Sequence, residues 1–216
     1  MIAAAMWFNS GILLFADAQT DGHGRVRTDS YTIFSKQYGS QRGCASSVFV
    51  VSEPGNRHVP AFHQCEDALA NIAPEECTIE RMRRTVEQTL VDTADDEVDF
   101  VALYSPKDQQ YCLFRTIGAR LQEVVGCDCE GPAASLGHCL MHDRYTAARS
   151  MDTLDLTTVF SIAVETLEAI RVTNAACGDS SEMVVMYADG HVSDVQHMAH
   201  DTRKKRNAAL TALGRT

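Results

Sequence analysis

The sequence has 216 residues, a length that suits one domain with a full hydrophobic core. Apolar residues make up 45% and charged residues 22%, which excludes a disordered or collagen-like chain. The formal net charge of −10 repels phosphate backbones, so we expect no nucleic-acid partner. No apolar run approaches the roughly 20 residues that a membrane helix needs, so we expect no membrane partner either.

The predicted elements alternate between groups of strands and pairs of helices. Strand patterns cover 5–8, 11–16, 30–35 and 46–52, and helical periodicity follows over 58–72 and 78–93. Further strands are predicted over 98–104, 110–117 and 121–125, an irregular loop over 126–132, and a helix over 133–148. A second helix runs from a cap at Asp152 or Thr153 to Val172, before a hairpin over 183–195 on Asp189-Gly190. Strands grouped before helices favour an α+β sandwich of antiparallel sheets.

The chain ends and the cysteines indicate domain organisation and compartment. We expect a sandwich domain over 1–198 and a basic C-terminal helix or tail over 199–216. Eight cysteines scattered along the chain predict reduced thiols in a cytoplasmic protein. The apolar start ends at Ala16-Asp17-Ala18, like a signal-peptidase site, but it lacks a basic segment and is interrupted by Asn9-Ser10-Gly11. A hairpin therefore fits this start better than a leader.

Soft metal ligands cluster between Cys127 and His142. Cys127 and Cys129 lie in the predicted loop, and His138 and His142 share one face of the next helix because they are four positions apart. Thiolates and imidazoles are zinc ligands, although Cys-x-Cys is tighter than the usual zinc spacing. The alternative is a cysteine-rich loop followed by two surface histidines. Zinc is the only cofactor that the sequence suggests.

Three segments, in this order, resemble the proteasome β-subunit family of N-terminal-nucleophile hydrolases. Residues 11–17 resemble the family's early strand ending in Ala-Asp, and residues 126–140 resemble its Gly-Ser-Gly loop and helix. Residues 175–190 resemble its Ser-Gly-Gly turn, strand and Asp-Gly hairpin. The resemblance implies a four-layer α-β-β-α sandwich. In it, the helix pair over 58–93 covers one side and the pair over 133–172 covers the other.

The resemblance also implies a site in which the first residue supplies a hydroxyl or thiol nucleophile and its α-amino group the base. In that site an aspartate orients a lysine, which lowers the proton affinity of the base. The positions that match the nucleophile, aspartate, lysine and two supporting groups are Met1, Asp17, Thr32 or Ile33, Asn174 and Cys177. Met1 has no attacking atom, so we expect the nucleophile to be missing. The nearest lysine is Lys36, and Pro54 removes a backbone donor from the oxyanion loop.

These departures predict a non-catalytic subunit, structural or pseudoenzyme, of a proteasome-like assembly. Family members associate into rings, so we expect a ring or another homo-oligomer, with a related subunit or an unfoldase as a further partner. One alternative is an active N-terminal-nucleophile peptidase or amidohydrolase with a non-standard site. Another is a metal- or ligand-binding module on the same fold. Composition does not separate the three.

Overall fold

A computed structural model describes residues 2–18, 29–38, 44–54, 61–94, 98–173 and 180–195. These residues form ten strands and four α-helices. In chain order the elements are β1 (Ala3–Phe8), β2 (Gly11–Ala18), β3 (Asp29–Tyr38), β4 (Ala45–Pro54), α1 (Ala61–Ala70), α2 (Ile79–Thr93), β5 (Val98–Ser105), β6 (Gln110–Ile117), β7 (Arg120–Glu123), β8 (Cys127–Glu130), α3 (Ala134–Ser150), α4 (Leu156–Thr173), β9 (Ser180–Tyr187) and β10 (Val192–Asp194).

The strands form two antiparallel five-stranded sheets. The first sheet has the order β10-β9-β2-β1-β8, and the second has the order β3-β4-β5-β6-β7. Alternate side chains of each sheet face opposite sides, so each sheet contributes one face to a core shared between the sheets and the other face to a helix pair. The α+β four-layer sandwich is therefore confirmed.

Three apolar clusters define the layers. The α3 and α4 helices pack on the first sheet around Phe15 and Phe160, and α1 and α2 pack on the second around Phe49 and Phe62. Between the sheets, β1, β2 and β9 meet β4, β5 and β6 through a cluster that includes Phe100. The predicted placement of the two helix pairs on opposite sides is correct.

Two local predictions are wrong. Residues 127–130 are not irregular loop but strand β8, because their backbone pairs with β1 from Met6↔Cys127 to Ala3↔Glu130. Helix α4 does not start at Asp152 or Thr153. Its cap is Asp155, whose Oδ1 accepts a hydrogen bond from the Thr158 backbone N–H at 2.7 Å.

The predicted boundary at 198 and the basic tail lie outside the described residues. None of the described helices has the length and apolar character that a bilayer crossing requires.

Candidate functional site

Asp17 lies at the end of β2, opposite Ser181 of β9. Its backbone N–H donates to the carbonyl of Ile2 at 2.9 Å, which ties the start of the chain to this strand end. Along β2, Leu13 and Phe15 pack against the layer of α3 and α4. Side chains two positions apart lie on the same face of a strand, so Asp17 also lies on the face toward the helices. The residue is completely buried.

The described neighbours of Asp17 include an arginine of α4. Nη2 of Arg171 lies 3.6 Å from Oδ1 of Asp17, and the Arg171 side chain is only 16% exposed. A guanidinium stays protonated at every physiological pH. Arg171 can therefore hold the carboxylate as a fixed charge pair, but it cannot exchange protons with a reacting group.

Strand β3 carries the two positions that the resemblance assigns to the lysine. Tyr31 and Ile33 belong to the cluster between the sheets, so Thr32, between them, lies on the opposite face toward the helices. The Ile33 backbone N–H donates to Oε2 of Glu182 at 2.7 Å. Of the two matched positions, the one that faces the intersheet space is therefore apolar.

Lys36 shares the outer face of β3 with Thr32. Its Nζ lies 3.7 Å from Oε2 of Glu66 and 3.8 Å from Oδ1 of Asp67, both on α1. The other lysine among the described residues, Lys107, donates to the carbonyl of Glu75. Within the described residues, neither lysine forms an ion pair with Asp17.

A charged cluster links the two sheets beside β8. Arg115 of β6 contacts Oδ2 of Asp128 through Nη1 and Oε1 of Glu130 through Nη2, both at 3.1 Å. His138 Nε2 lies 3.0 Å from Oδ1 of Asp128, and the Cys129 backbone N–H donates to the same oxygen at 2.9 Å. Asp128 thus joins β8, β6 and α3 through one carboxylate.

Tyr31 of β3 is a buried phenol close to two carboxylates. Burial raises the pKa of its phenol strongly, and the nearby carboxylates of Asp99 and Glu130 raise it further. Asp99 sits where the register between β4 and β5 shifts, since Val50 pairs with Phe100 but Val51 pairs with Val98. Such a bulge re-aims side chains at a strand end.

The four predicted zinc ligands do not converge. Cys129 is buried, and its Sγ lies 3.1 Å from the carbonyl oxygen of Ala134, while His138 contacts Asp128 and His142 is exposed. Burial is the main reason that the pKa of Cys127 rises to about 11 and that of Cys129 to about 12, and both shifts disfavour the thiolate that zinc requires. Within the described ranges, no group of three or more His, Cys, Asp or Glu side chains could hold a metal ion.

Three of the predicted site residues, Met1, Asn174 and Cys177, lie outside the described residues, and their roles stay predictions. Arg115, Asp128 and Arg171 were not predicted from the sequence to take part in charged contacts. A basic residue in a strand and an acidic one in a predicted loop carry no local signal of pairing. Only the packing of β8 over β6 brings Arg115 to Asp128.

Among solved structures, the chain is similar over its whole length to several Anbu proteins. Anbu from Hyphomicrobium sp. strain MC1 is 13% identical with a TM-score of 0.66, covering 100% of this chain and 98% of that chain. Anbu (ancestral beta-subunit) from Yersinia bercovieri is 12% identical with a TM-score of 0.63, covering 99% and 96%. The chain has the Anbu fold. Anbu from Pseudomonas aeruginosa, solved as a helical assembly of the Anbu complex, is 11% identical with a TM-score of 0.63 over 99% and 95%.

No protein-family model matches the sequence, and no curated protein matches it either. The fold likeness corrects the resemblance drawn from the sequence. A proteasome β-subunit whose nucleophile is missing is the wrong description, because the similar structures are Anbu proteins, a proteasome-like group, and nothing in the comparisons indicates a missing nucleophile.

Proposed function

We propose that this chain is a proteasome-like subunit of the Anbu type, which assembles with copies of itself and contributes structure rather than peptide hydrolysis. The observation that carries the proposal is the structural match to Anbu chains, which covers 95% or more of this chain and of each Anbu chain. One of those proteins forms a helical assembly. A likeness over the full length supports the same role for this chain, with a ring or an open helix as the form of the assembly.

Exposed apolar side chains on the outer helices support self-association. Val172 on α4 is 88% exposed and Val91 on α2 is 59% exposed. Contacts that cover such residues gain roughly 25 cal/mol for each Å² of apolar surface removed from water. Each outer helix layer thus carries an exposed apolar side chain that a neighbouring subunit could cover.

The surroundings of Asp17 support a non-catalytic role. The resemblance gives this carboxylate the task of orienting a lysine, but the described contact is to Arg171. Ile33 offers no amine in the intersheet space, and Lys36 is engaged by α1. A site whose members act as a unit loses most of its rate when one is absent.

The compartment and the extent of the domain belong to the same proposal. The cysteines of the described residues are free thiols, which supports a cytoplasmic protein. The sandwich domain is proposed to occupy 1–198, with a separate tail over 199–216. A related subunit or an unfoldase would be found as an additional mass in the native assembly.

The test combines native mass with activity on one sample of the full chain. We expect a mass that is a multiple of 23.7 kDa and no turnover of fluorogenic peptides. Cleavage that Asp17→Ala abolishes and a threonine-directed covalent inhibitor blocks would overturn the non-catalytic role. The Lys36→Met variant is the control, because Lys36 lies on the outer face and should leave any cleavage unchanged.

A further inference from the structure

A cavity of about 350 Å³ lies at the opposite end of β1 from Asp17. Its walls come from the end of β1 and the turn after it, the end of β7 and the segment that leads to β8, and helix α3. They include Trp7, Asn9, Glu123, Tyr145 and Arg149. Its volume falls at the lower end of the roughly 300–1,000 Å³ typical of small-ligand sites. Every lining residue belongs to the described part of the chain.

Hydrogen bonds fix the walls of this cavity. The Trp7 indole N–H donates to the carbonyl of Val124, and its backbone N–H donates to the carbonyl of Gly126, both at 2.8 Å. The Asn9 backbone N–H donates to the carbonyl of Leu154 at 2.8 Å. Because these contacts hold the indole and the turn, the cavity is preformed. Binding therefore does not require the free energy of ordering its walls.

Two donors in the cavity have no partner among the residues that the structure describes. Tyr145 is 5% exposed, lines the cavity, and its hydroxyl makes no hydrogen bond there. Burial raises the pKa of Tyr145, Cys127 adds to the rise, and the nearby Arg149 guanidinium opposes it. The phenol is thus a protonated donor beside a cation, and the side chain of Arg149 likewise has no ion pair within the described ranges. Arg149 is exposed, so a ligand that enters the cavity can replace the solvent around its guanidinium with a charge-assisted hydrogen bond.

The cavity also has a negative and an apolar part. Glu123 lines it and makes no ion pair within the described residues, so the carboxylate and the Arg149 guanidinium are more than a salt-bridge length apart. The Trp7 ring and the buried Leu154 side chain supply apolar walls. Separate positive and negative groups on an apolar surface complement a small molecule that carries both charges.

We propose that this cavity binds a free α-amino acid with an apolar side chain. Its carboxylate accepts from Arg149 and from the Tyr145 hydroxyl, since paired donors suit a carboxylate. Its ammonium group faces Glu123, and its side chain packs against Trp7 and Leu154. The site is independent of the proposed assembly role.

The test uses Trp7, the only tryptophan of the chain, as a fluorescent reporter of the full-length protein titrated with L-leucine. We expect saturable binding with a dissociation constant of about 1 mM or tighter, confirmed by calorimetry. Arg149→Met should weaken it at least about tenfold, and Tyr145→Phe about threefold to tenfold. Arg81→Met is the control, because Arg81 is an exposed arginine on α2 with no ion pair among the described residues, and it should leave affinity unchanged.

Two analogues of leucine, each lacking one of its charges, test which group of the cavity contacts the carboxylate and which contacts the ammonium group. Leucine methyl ester and N-acetyl-leucine should each bind at least about tenfold more weakly than leucine. Glu123→Gln should weaken leucine but not N-acetyl-leucine, which has no ammonium group. The proposal is overturned by the absence of saturation up to about 10 mM, or by affinity that Arg149→Met leaves unchanged in a variant whose circular dichroism matches the parent. Equal affinity for leucine and both analogues would also overturn it.

Discussion

Arg171 of α4 and Asp17 of β2 form a charge pair across the boundary between helix and sheet, with Nη2 and Oδ1 3.6 Å apart. The two residues are 154 positions apart in the chain, and the carboxylate is completely buried. Burying one charge without its partner is costly. The pair therefore ties α4 to the strand end where the resemblance places catalytic groups.

Removing the Arg171 guanidinium should destabilise the fold, because Asp17 stays buried. We expect Arg171→Met to lower the free energy of unfolding by about 3 kcal/mol, because it leaves a buried carboxylate without this cation. Urea denaturation at fixed protein concentration measures the change. Arg84→Met is the matched control, since the Arg84–Glu80 pair on α2 is largely exposed and is worth at most about 1 kcal/mol. Equal losses in the two variants would contradict a stabilising role for the buried pair.

The cross-sheet contacts of Arg115 allow a comparison of two carboxylates. The Asp128 side chain is 12% exposed and that of Glu130 is 31% exposed, at the same 3.1 Å distance from Arg115. Asp128 also accepts from the Cys129 N–H and contacts His138. We expect Asp128→Asn to cost about 2 kcal/mol and Glu130→Gln under about 1 kcal/mol. The reverse order in thermal or urea unfolding would show that Asp128 is not the centre of this cluster.

Gly190 packs its backbone against the second sheet. It adopts φ of 80°, and a Cβ there would lie 2.1 Å from Cδ1 of Tyr104, while its carbonyl accepts from the Ser46 hydroxyl at 2.8 Å. Gly190→Ala should lower the free energy of unfolding by about 3 kcal/mol, through both backbone strain and overpacking.

Gly118 separates these two effects. It adopts φ of 59°, but a Cβ there would meet no atom within 4 Å. Gly118→Ala should therefore cost only the strain of a left-handed residue, about 1 kcal/mol. A loss at Gly190 no larger than that at Gly118 would be evidence against the close approach of Gly190 to Tyr104.

Thiol reactivity should follow burial. Cys139 is exposed and Cys129 is buried, and burial raises the pKa of Cys129 from 9.0 to about 12. In iodoacetamide labelling at pH 8, followed by mass spectrometry, Cys139 should react much faster than Cys129, because the thiolate is the nucleophile. A folded-state pKa above the unfolded value gives stability that is present below pH 9 and lost as pH rises toward 12. Fast native labelling of Cys129 would contradict its position under α3.

The sequence predicted those elements whose signals are local. Asn9-Ser10-Gly11 and Asp189-Gly190 are turn signals between apolar runs, and both hairpins form where they indicate. Strand β8 has four residues with alternating polarity at a sheet edge, and it is a strand only because β1 pairs with it. Propensity carries no information on such a partner.

The site was less predictable than the fold because its contacts are long-range. Asp17 was singled out from the sequence, but its contact with Arg171 depends on how α4 crosses the first sheet. The choice between Thr32 and Ile33 depends on which face of β3 meets the other sheet, and the register places Ile33 there. The sequence spacing indicated a ligand set of Cys127, Cys129, His138 and His142, but His138 contacts Asp128 instead.

We propose that this chain is a self-assembling, proteasome-like subunit, and the native mass of the full-length protein tests this proposal most directly. Size-exclusion chromatography with light scattering at micromolar concentration should give a mass several times 23.7 kDa, in a defined ring or a helical series. A single species of 23.7 kDa under those conditions would contradict the claim.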